Sequence, residues 1–442
     1  MDNTSVMQAP PSPSPAPLPT PAAARKPKSL LWRGLEAVAS LKLTVFLFAL
    51  AMFLVFYGTI AQVELGIWSV VNDYFRSVVV FIPVKVLLLF RLPADAAVGN
   101  VRIPFPGGWL IGGALFANLI AAHIVRFKLS WKRSGIIVLH FGIMLMMLGE
   151  WLTGMFAIES MMSIREGETV NYVHDNRNAE LAIVEVTDPK RKTDDIVSIS
   201  AAALQKKDAK ISSEDLPFEI EVLQYEKNSD LVTAKGEIVA DADRGQAAGY
   251  AIKPLKEGTG VDTSQRVDTP SAVVKLTAKN GEALGTYLLS YWLGKADAVT
   301  VGGKSYEIIL RPKRSYRDYT VTLEKAEERK HPNLEMAKDY SSYIVLNDPE
   351  HGVVDRKTRI YMNAPMRYRG EAFFQANMST ERNGDMVTGL QVVRNELILP
   401  VVGRVPFWTL PYISCIVVAL GMLIHFGIKL IGFLELQMRA RA

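Results

Sequence analysis

Cysteine is almost missing from this chain: 442 residues carry one, Cys415. That scarcity excludes a disulfide framework within the chain, a cysteine-built zinc site and a C-x-x-C redox motif. Nucleotide and hydrolase signatures are missing too. Gly303-Lys304-Ser305 imitates the end of a P-loop, but the loop's first glycine is replaced by Ala298, and the flanks read as a strand turn. No G-x-S-x-G occurs. Charge is scarce as well, at 21% against 49% apolar residues, and mean hydropathy is +0.14. So much apolar side chain excludes an intrinsically disordered chain. The net charge of +5 and pI near 9.0 would fit a nucleic-acid partner by sign alone. Their placement argues for no nucleic acid and for a lipid bilayer instead.

The apolar residues gather into runs long enough to cross a bilayer, which takes about 20 residues. Four such segments are predicted as transmembrane helices: 37–62, 108–126, 135–155 and 406–430. The uncharged run of the second already begins at Ile103. A further apolar stretch, Val78 to Phe90, holds Pro83 and Lys85 and is too short to span. It reads as an interfacial or re-entrant piece of the external loop 63–107. Residues 1–36 begin with alternating prolines, Pro10 to Pro21, and read as a disordered tail. They do not read as a signal peptide, because the apolar run that follows is too long and lacks a small-residue cleavage site.

Basic residues set the orientation. Arg25, Lys26, Lys28, Arg33 and Lys42 precede or open the first span; Arg126, Lys128, Lys132 and Arg133 surround the loop 127–134. Lys429, Arg439 and Arg441 close the fourth span and the tail 431–442. The positive-inside rule makes all three regions cytoplasmic, and Trp109, Trp151 and Trp408 sit at the opposite ends as an outer aromatic belt. Residues 156–405 then lie outside the cytoplasm. They alternate with period two at Phe218–Val222, Ala272–Leu276, Tyr306–Ile308 and Tyr319–Leu323, punctuated by Asn347-Asp348-Pro349 and Val301-Gly302-Gly303-Lys304. The expected fold is a polytopic α-helical membrane protein with four transmembrane helices and a large, mostly antiparallel β extracytoplasmic domain. Length alone would have suggested roughly three soluble domains.

Three of the six histidines fall in the spans: His123, His140 and His425. An ionisable side chain in hydrocarbon is costly and is a functional candidate by default. Counting from Arg126, Arg133 and Lys429, all three lie roughly 4–11 Å inside the cytoplasmic boundary. A neutral imidazole ligates iron, and two from different helices would make a bis-histidine haem site. The plainer alternatives are that His123 snorkels and that His140 and His425 pack against neighbouring carbonyls. A non-haem metal lacks further ligands at that depth. Met144, Met146 and Met147 offer thioethers or pliable packing, and Cys415 reads as a small packing residue. Outside the spans, Arg311, Lys313, Arg314 and Arg317 form a basic cluster, read as a solvated face or a site for an acidic partner or lipid headgroups. His331 and His351 have no sequence-local nucleophile beside them. Gln62, Glu64 and Glu150 cap the outer ends of spans.

Several local motifs occur in a meaningful order: Gly58-Thr59-Ile60-Ala61-Gln62, Asn118-Leu119 through Arg126, and Gly135 with Leu139-His140-Phe141-Gly142-Ile143. Glu166-Gly167-Glu168, Met362-Asn363-Ala364-Pro365, Tyr368-Arg369-Gly370 and Phe374-Gln375 follow. Together with the layout, the set resembles the ResB family, the membrane subunit of system II cytochrome c biogenesis. Ala61 stands where that family has proline, the loop from Glu64 to Gly108 is less compact, and Thr187 to Arg356 matches only loosely. The resemblance implies a multi-pass protein of the cytoplasmic membrane that carries haem b outward with His140 and His425 as axial ligands, His123 being the reserve. It implies three partners: a ResC-type haem-handling protein, whose tryptophan-rich motif is absent here, apocytochrome c, and a thioredoxin-like thiol reductase. The chain would then be no enzyme alone, with no catalytic residue, but a subunit of a haem lyase complex. Two alternatives stay open: a membrane-anchored scaffold whose β domain binds a partner, and a b-type electron-transfer cytochrome.

Overall fold

A computed structural model of the chain describes residues 29–88, 101–126, 130–187, 195–206, 209–235, 239–258, 268–331, 337–381, 384–399 and 403–441. The proline-rich stretch 1–28, Phe90 and Lys128 therefore lie outside the described residues. Helix α1 (Leu30–Val38) begins where the sequence reading still had tail. The reason is local: the Ser29 hydroxyl accepts from the Trp32 amide, and the Trp32 indole donates to Glu36 one turn on at 3.1 Å, a capped start with an i,i+4 tie. The long helices are α2 (Leu41–Leu65), α3 (Gly108–Arg126), α4 (Ser134–Phe156) and α5 (Leu410–Arg441). All four are long and apolar enough to cross a membrane.

Asn118, buried on α3, ties the break between α1 and α2. Its amide donates to the carbonyls of Val38 at 2.5 Å and Ser40 at 3.2 Å, while its oxygen accepts from the Thr44 hydroxyl at 2.7 Å. Asn118→Leu is expected to cost about 1–3 kcal/mol, because it removes three part-buried hydrogen bonds at once. Thermal unfolding of the purified protein in detergent measures this, and Thr44→Val, which removes the hydroxyl's bonds to Asn118 and the Ser40 carbonyl but keeps both Asn118 donors paired, should cost less.

Helices α4 and α5 run antiparallel, and their seam is made of absent side chains. Gly135, Gly142 and Gly149 recur every seven residues along one stripe of α4. A Cβ at Gly135 would enter the backbone of His425; one at Gly142 would meet Val418, and one at Gly149 would meet Leu410. The contact is reciprocal, since a Cβ at Gly421 would enter the backbone of Leu139. Small residues let two helices pack backbone to backbone.

The loop after α2 is a small packed unit. Strands β1 (Val79–Pro83) and β2 (Arg102–Pro106) pair antiparallel, and a single π-helical turn at Val71–Phe75 lies beside them. Val80 and Ile82 point inward onto Leu54, Ala61, Val70, Tyr74 and Ile111, while Val79 and Phe81 stay exposed. Within its described part Val78–Phe90 is a strand followed by a helical turn, packed on the helices. Ile103 belongs to β2, because Pro104 and Pro106 cannot sit inside a helix that begins only at Gly108.

The region between α4 and α5 is antiparallel β structure in two lobes that share strands β4 (Thr169–Glu185) and β8 (Lys304–Lys330). Between them the chain supplies, among other strands, β5 (Phe218–Glu226), β6 (Ser271–Ala278) and β7 (Ala283–Ser290), while Ile196–Ser200 pairs with β4 and Asp297–Val301 with β8. These, with the far halves of β4 and β8, enclose Leu181, Ile183, Phe218, Val222, Val274 and Ile308. The second lobe uses β3 (Ile158–Arg165), the near part of β4, the end of β8, β9 (Ala337–Asp348), β10 (Val353–Tyr361), β11 (Met366–Tyr368), β12 (Glu371–Thr380) and β13 (Met386–Arg394). Their order is β10-β9-β8-β4-β3-β13-β12-β11. The sheet curls until Arg317 of β8 reaches Glu371 of β12, around a core of Met162, Val321, Ile344, Phe373 and Leu390. The alternations at Tyr306–Ile308 and Tyr319–Leu323 prove to be one strand, β8.

Candidate functional site

The spans bring two of the three histidines into contact. His123 on α3 and His140 on α4 meet edge to face, with ring centroids 5.1 Å apart and planes at 89°. The Nδ1 of His123 lies 2.8 Å from the Leu119 carbonyl one turn back. A carbonyl only accepts, so Nδ1 donates to it and the ring direction of His123 is set. His425 belongs to the other face of α4. Its backbone abuts Gly135 in the α4–α5 seam, and its ring lies 5.5 Å from that of Phe426. Gly135 precedes His140 by five residues, about 7 Å along the helix axis, and His140 is turned toward α3. The residue held in reserve, His123, is the one that touches His140.

A single imidazole with its second nitrogen anchored on a carbonyl has the donor chemistry of an iron ligand, the ring direction being set. Edge-to-face contact leaves no room for a macrocycle between His123 and His140, so as packed these two would not hold one between them. Among the described residues no group of three or more His, Cys, Asp or Glu side chains is placed to hold a metal ion. Cys415 lies exposed on α5 beside the buried Ser414. It is therefore on the outer, apolar face of the helix and not packed inside, as the sequence reading had it. Met146 is exposed on α4 in the same way.

Outside the helices, Lys313 of the basic cluster is exposed as a solvated face would have it, but the three arginines are engaged within the chain. Arg311 is buried against Glu180 at 2.9 Å, Arg314 stacks 4.0 Å over the Tyr172 ring, and Arg317 grips Glu371 through Nε and Nη2. The acidic partners are intramolecular and about 130 and 50 residues distant in sequence, beyond the reach of local pattern reading. Glu371 also accepts from the Tyr319 hydroxyl. Burial, reinforced by that carboxylate, pushes the Tyr319 phenol well above its ordinary range, so it remains a donor. His351, without a partner in the sequence reading, has one three residues earlier: its Nδ1 is 3.0 Å from the fully buried Asp348. Burial works to raise the Asp348 carboxyl, but hydrogen bonds from Tyr368 and His351 hold it below its ordinary value. Glu64 pairs with Lys85 at 2.5 Å instead of merely capping a span.

No family model matches this chain, and no curated protein matches it.

Proposed function

We propose that this chain is a haem-handling membrane subunit of cytochrome c maturation, of the ResB type. What supports the reading is the ordered set of motifs resembling that family, with His140 and His123 placed on facing helices and His123 oriented by the Leu119 carbonyl. The ordered motifs along the chain supply the haem context. His140 would hold haem b within the helix bundle, joined by His425 or, once the edge-to-face contact opens, by His123, and bound haem would supply a redox-active iron. The chain's own part is to present an imidazole oriented by its hydrogen bond and keep water away by apolar packing. Its single cysteine lies on α5, so thiol chemistry on an apocytochrome belongs to partners: a ResC-type protein, apocytochrome c itself and a thioredoxin-like reductase. In this reading α1 and both ends of the chain face the cytoplasm, the β region lies outside, and the chain works as a non-catalytic subunit of the haem lyase assembly.

The test is the visible spectrum and pyridine haemochrome of the purified protein. Wild type should carry haem; His140→Ala should lose most of it, and His123→Ala or His425→Ala should shift the Soret band according to which one completes the ligation. Equal haem in all four proteins, or none in any, would sink the proposal. A second reading, a membrane-anchored scaffold whose histidines only pack, is favoured by the edge-to-face geometry itself. Full cytochrome c maturation by a His123→Ala/His140→Ala variant would select it.

A further inference from the structure

Helix α1 shows its apolar side outward. At about 100° per residue, Leu30, Leu31, Gly34, Ala37 and Val38 fall within one arc of roughly 120°, and all of them are exposed. Outside that arc lie Leu35 and Glu36, the half-buried residues of the helix. Leu30 and Leu31 are 84% and 87% exposed. A surface helix in water buries its apolar stripe and shows its charges. Helix α1 half-buries Glu36 and presents its leucines instead.

Asn118 sets the depth. It bonds the carbonyls of Val38 and Ser40, and it precedes Arg126, the last residue of α3, by about 12 Å along the helix axis. The end of α1 is thus held inside the end of α3 by less than the roughly 15 Å of hydrocarbon in one leaflet, and α1 packs on α3 from there. The turn that follows α3 agrees. Trp131 is 80% exposed, beside the exposed Lys132 and Arg133. Arg33, Lys42, Arg126, Lys132 and Arg133 gather at this end, and none of them is paired with a carboxylate among the described residues. Glu36, the acidic residue of α1, accepts from the Trp32 indole. Exposed tryptophan and leucine beside unmatched lysine and arginine suit a layer of anionic headgroups.

We propose that α1 is an interfacial helix that binds anionic lipid in the leaflet at its own end of the bundle. Leu30, Leu31 and Val38 enter the boundary between acyl chains and headgroups, while Arg33, Lys132 and Arg133 meet lipid phosphates. The excess of cations selects an anionic headgroup over a zwitterionic one. Through Asn118 the helix holds α2 and α3 at a fixed depth in that leaflet. The inference takes from the reading above only that α3 spans the membrane; it uses neither haem nor the side that faces the cytoplasm, so it stands or falls apart from the histidines.

The experiment places the full chain in lipid nanodiscs, whose two leaflets are alike. In a Cys415→Ser background, Leu31→Cys and Gly34→Cys each carry a nitroxide; a Cβ at Gly34 has open space around it. Collisions with oxygen and with a water-soluble nickel chelate report the depth of each label. Both labels should meet oxygen several-fold more readily than the chelate. The label at Leu31 should sit deeper in discs containing phosphatidylglycerol than in pure phosphatidylcholine, and Arg33→Gln/Lys132→Gln/Arg133→Gln should abolish that difference. Free access of the chelate to both positions in both lipids overturns the proposal. So does exclusion of oxygen and chelate alike, because protein would then cover the face. Equal depth in the two lipids overturns the anionic headgroup as its partner.

Discussion

Gly135→Ala is expected to be the most damaging single-methyl change in the helices. The added carbon would enter the backbone of His425 and the Gly421 carbonyl, so neither a rotamer change nor a side-chain shift relieves it. Overpacking of this kind costs about 3 kcal/mol at the upper end of its usual range. Gly421→Ala presses on Leu139 from the opposite side and should cost a similar amount. The two should not add, because separating the helices once accommodates both. Gly113→Ala on α3 is the control. Nothing lies within 4 Å of its added Cβ, so it should be neutral or stabilising by up to about 1 kcal/mol through helix propensity. Unfolding midpoints of the three variants in one detergent decide the matter; equal midpoints would remove the seam as a determinant of stability.

Glu371→Ala should have the largest effect in the β region. It removes the acceptor of two Arg317 donors and of the Tyr319 hydroxyl in a place where Glu371 is 5% exposed. Leaving a charge buried without its partner costs about 3–5 kcal/mol. The informative companion is Arg317→Met/Glu371→Leu, which removes both charges and should recover most of that loss. If the double variant is as unstable as the single, the pair holds the curl of the sheet by geometry instead of by charge balance. Chemical denaturation followed by far-UV circular dichroism separates the two results.

The helices were legible because hydrocarbon-length runs leave little ambiguity: α2 to α4 fall within a few residues of the predicted segments, while α5 continues eleven residues past the predicted end at 430, through the stretch expected as a tail. Period-two alternation found β5, β6 and both ends of β8, and the Gly302-Gly303 turn was readable from its two glycines with positive φ. Three things were not legible, each for a physical reason. The bulge between Tyr316 and Val321 interrupts the alternation of β8, so one long strand looked like two. The ion pairs of Arg311 and Arg317 close across the sheet, so the cluster looked solvated. The histidine pairing depended on which face of α4 meets α5, and the glycine heptad had already assigned that face to His425 and turned His140 toward α3. The motifs that carry the ResB resemblance also have structural work here. Asn118 ties a helix break, Gly135 and Gly142 form the seam, and Glu166-Gly167-Glu168 makes the β3–β4 turn, where Glu168 accepts from the Arg165 amide. Gln375 bonds Ser342 and Thr388 inside the sheet.

The seam between α4 and α5 has a consequence in time. Its two halves are separated by about 250 residues of β structure, which a ribosome elongating at roughly 5–20 residues per second needs on the order of 10–50 s to make. Throughout that interval the grooved face of α4 has no helix to receive. The β lobes have time to form before α5 emerges, so docking of α5 is the closing event of biogenesis. A ribosome stalled after β13 would release a chain with a finished sheet and an open bundle, the form that membrane quality control would meet first.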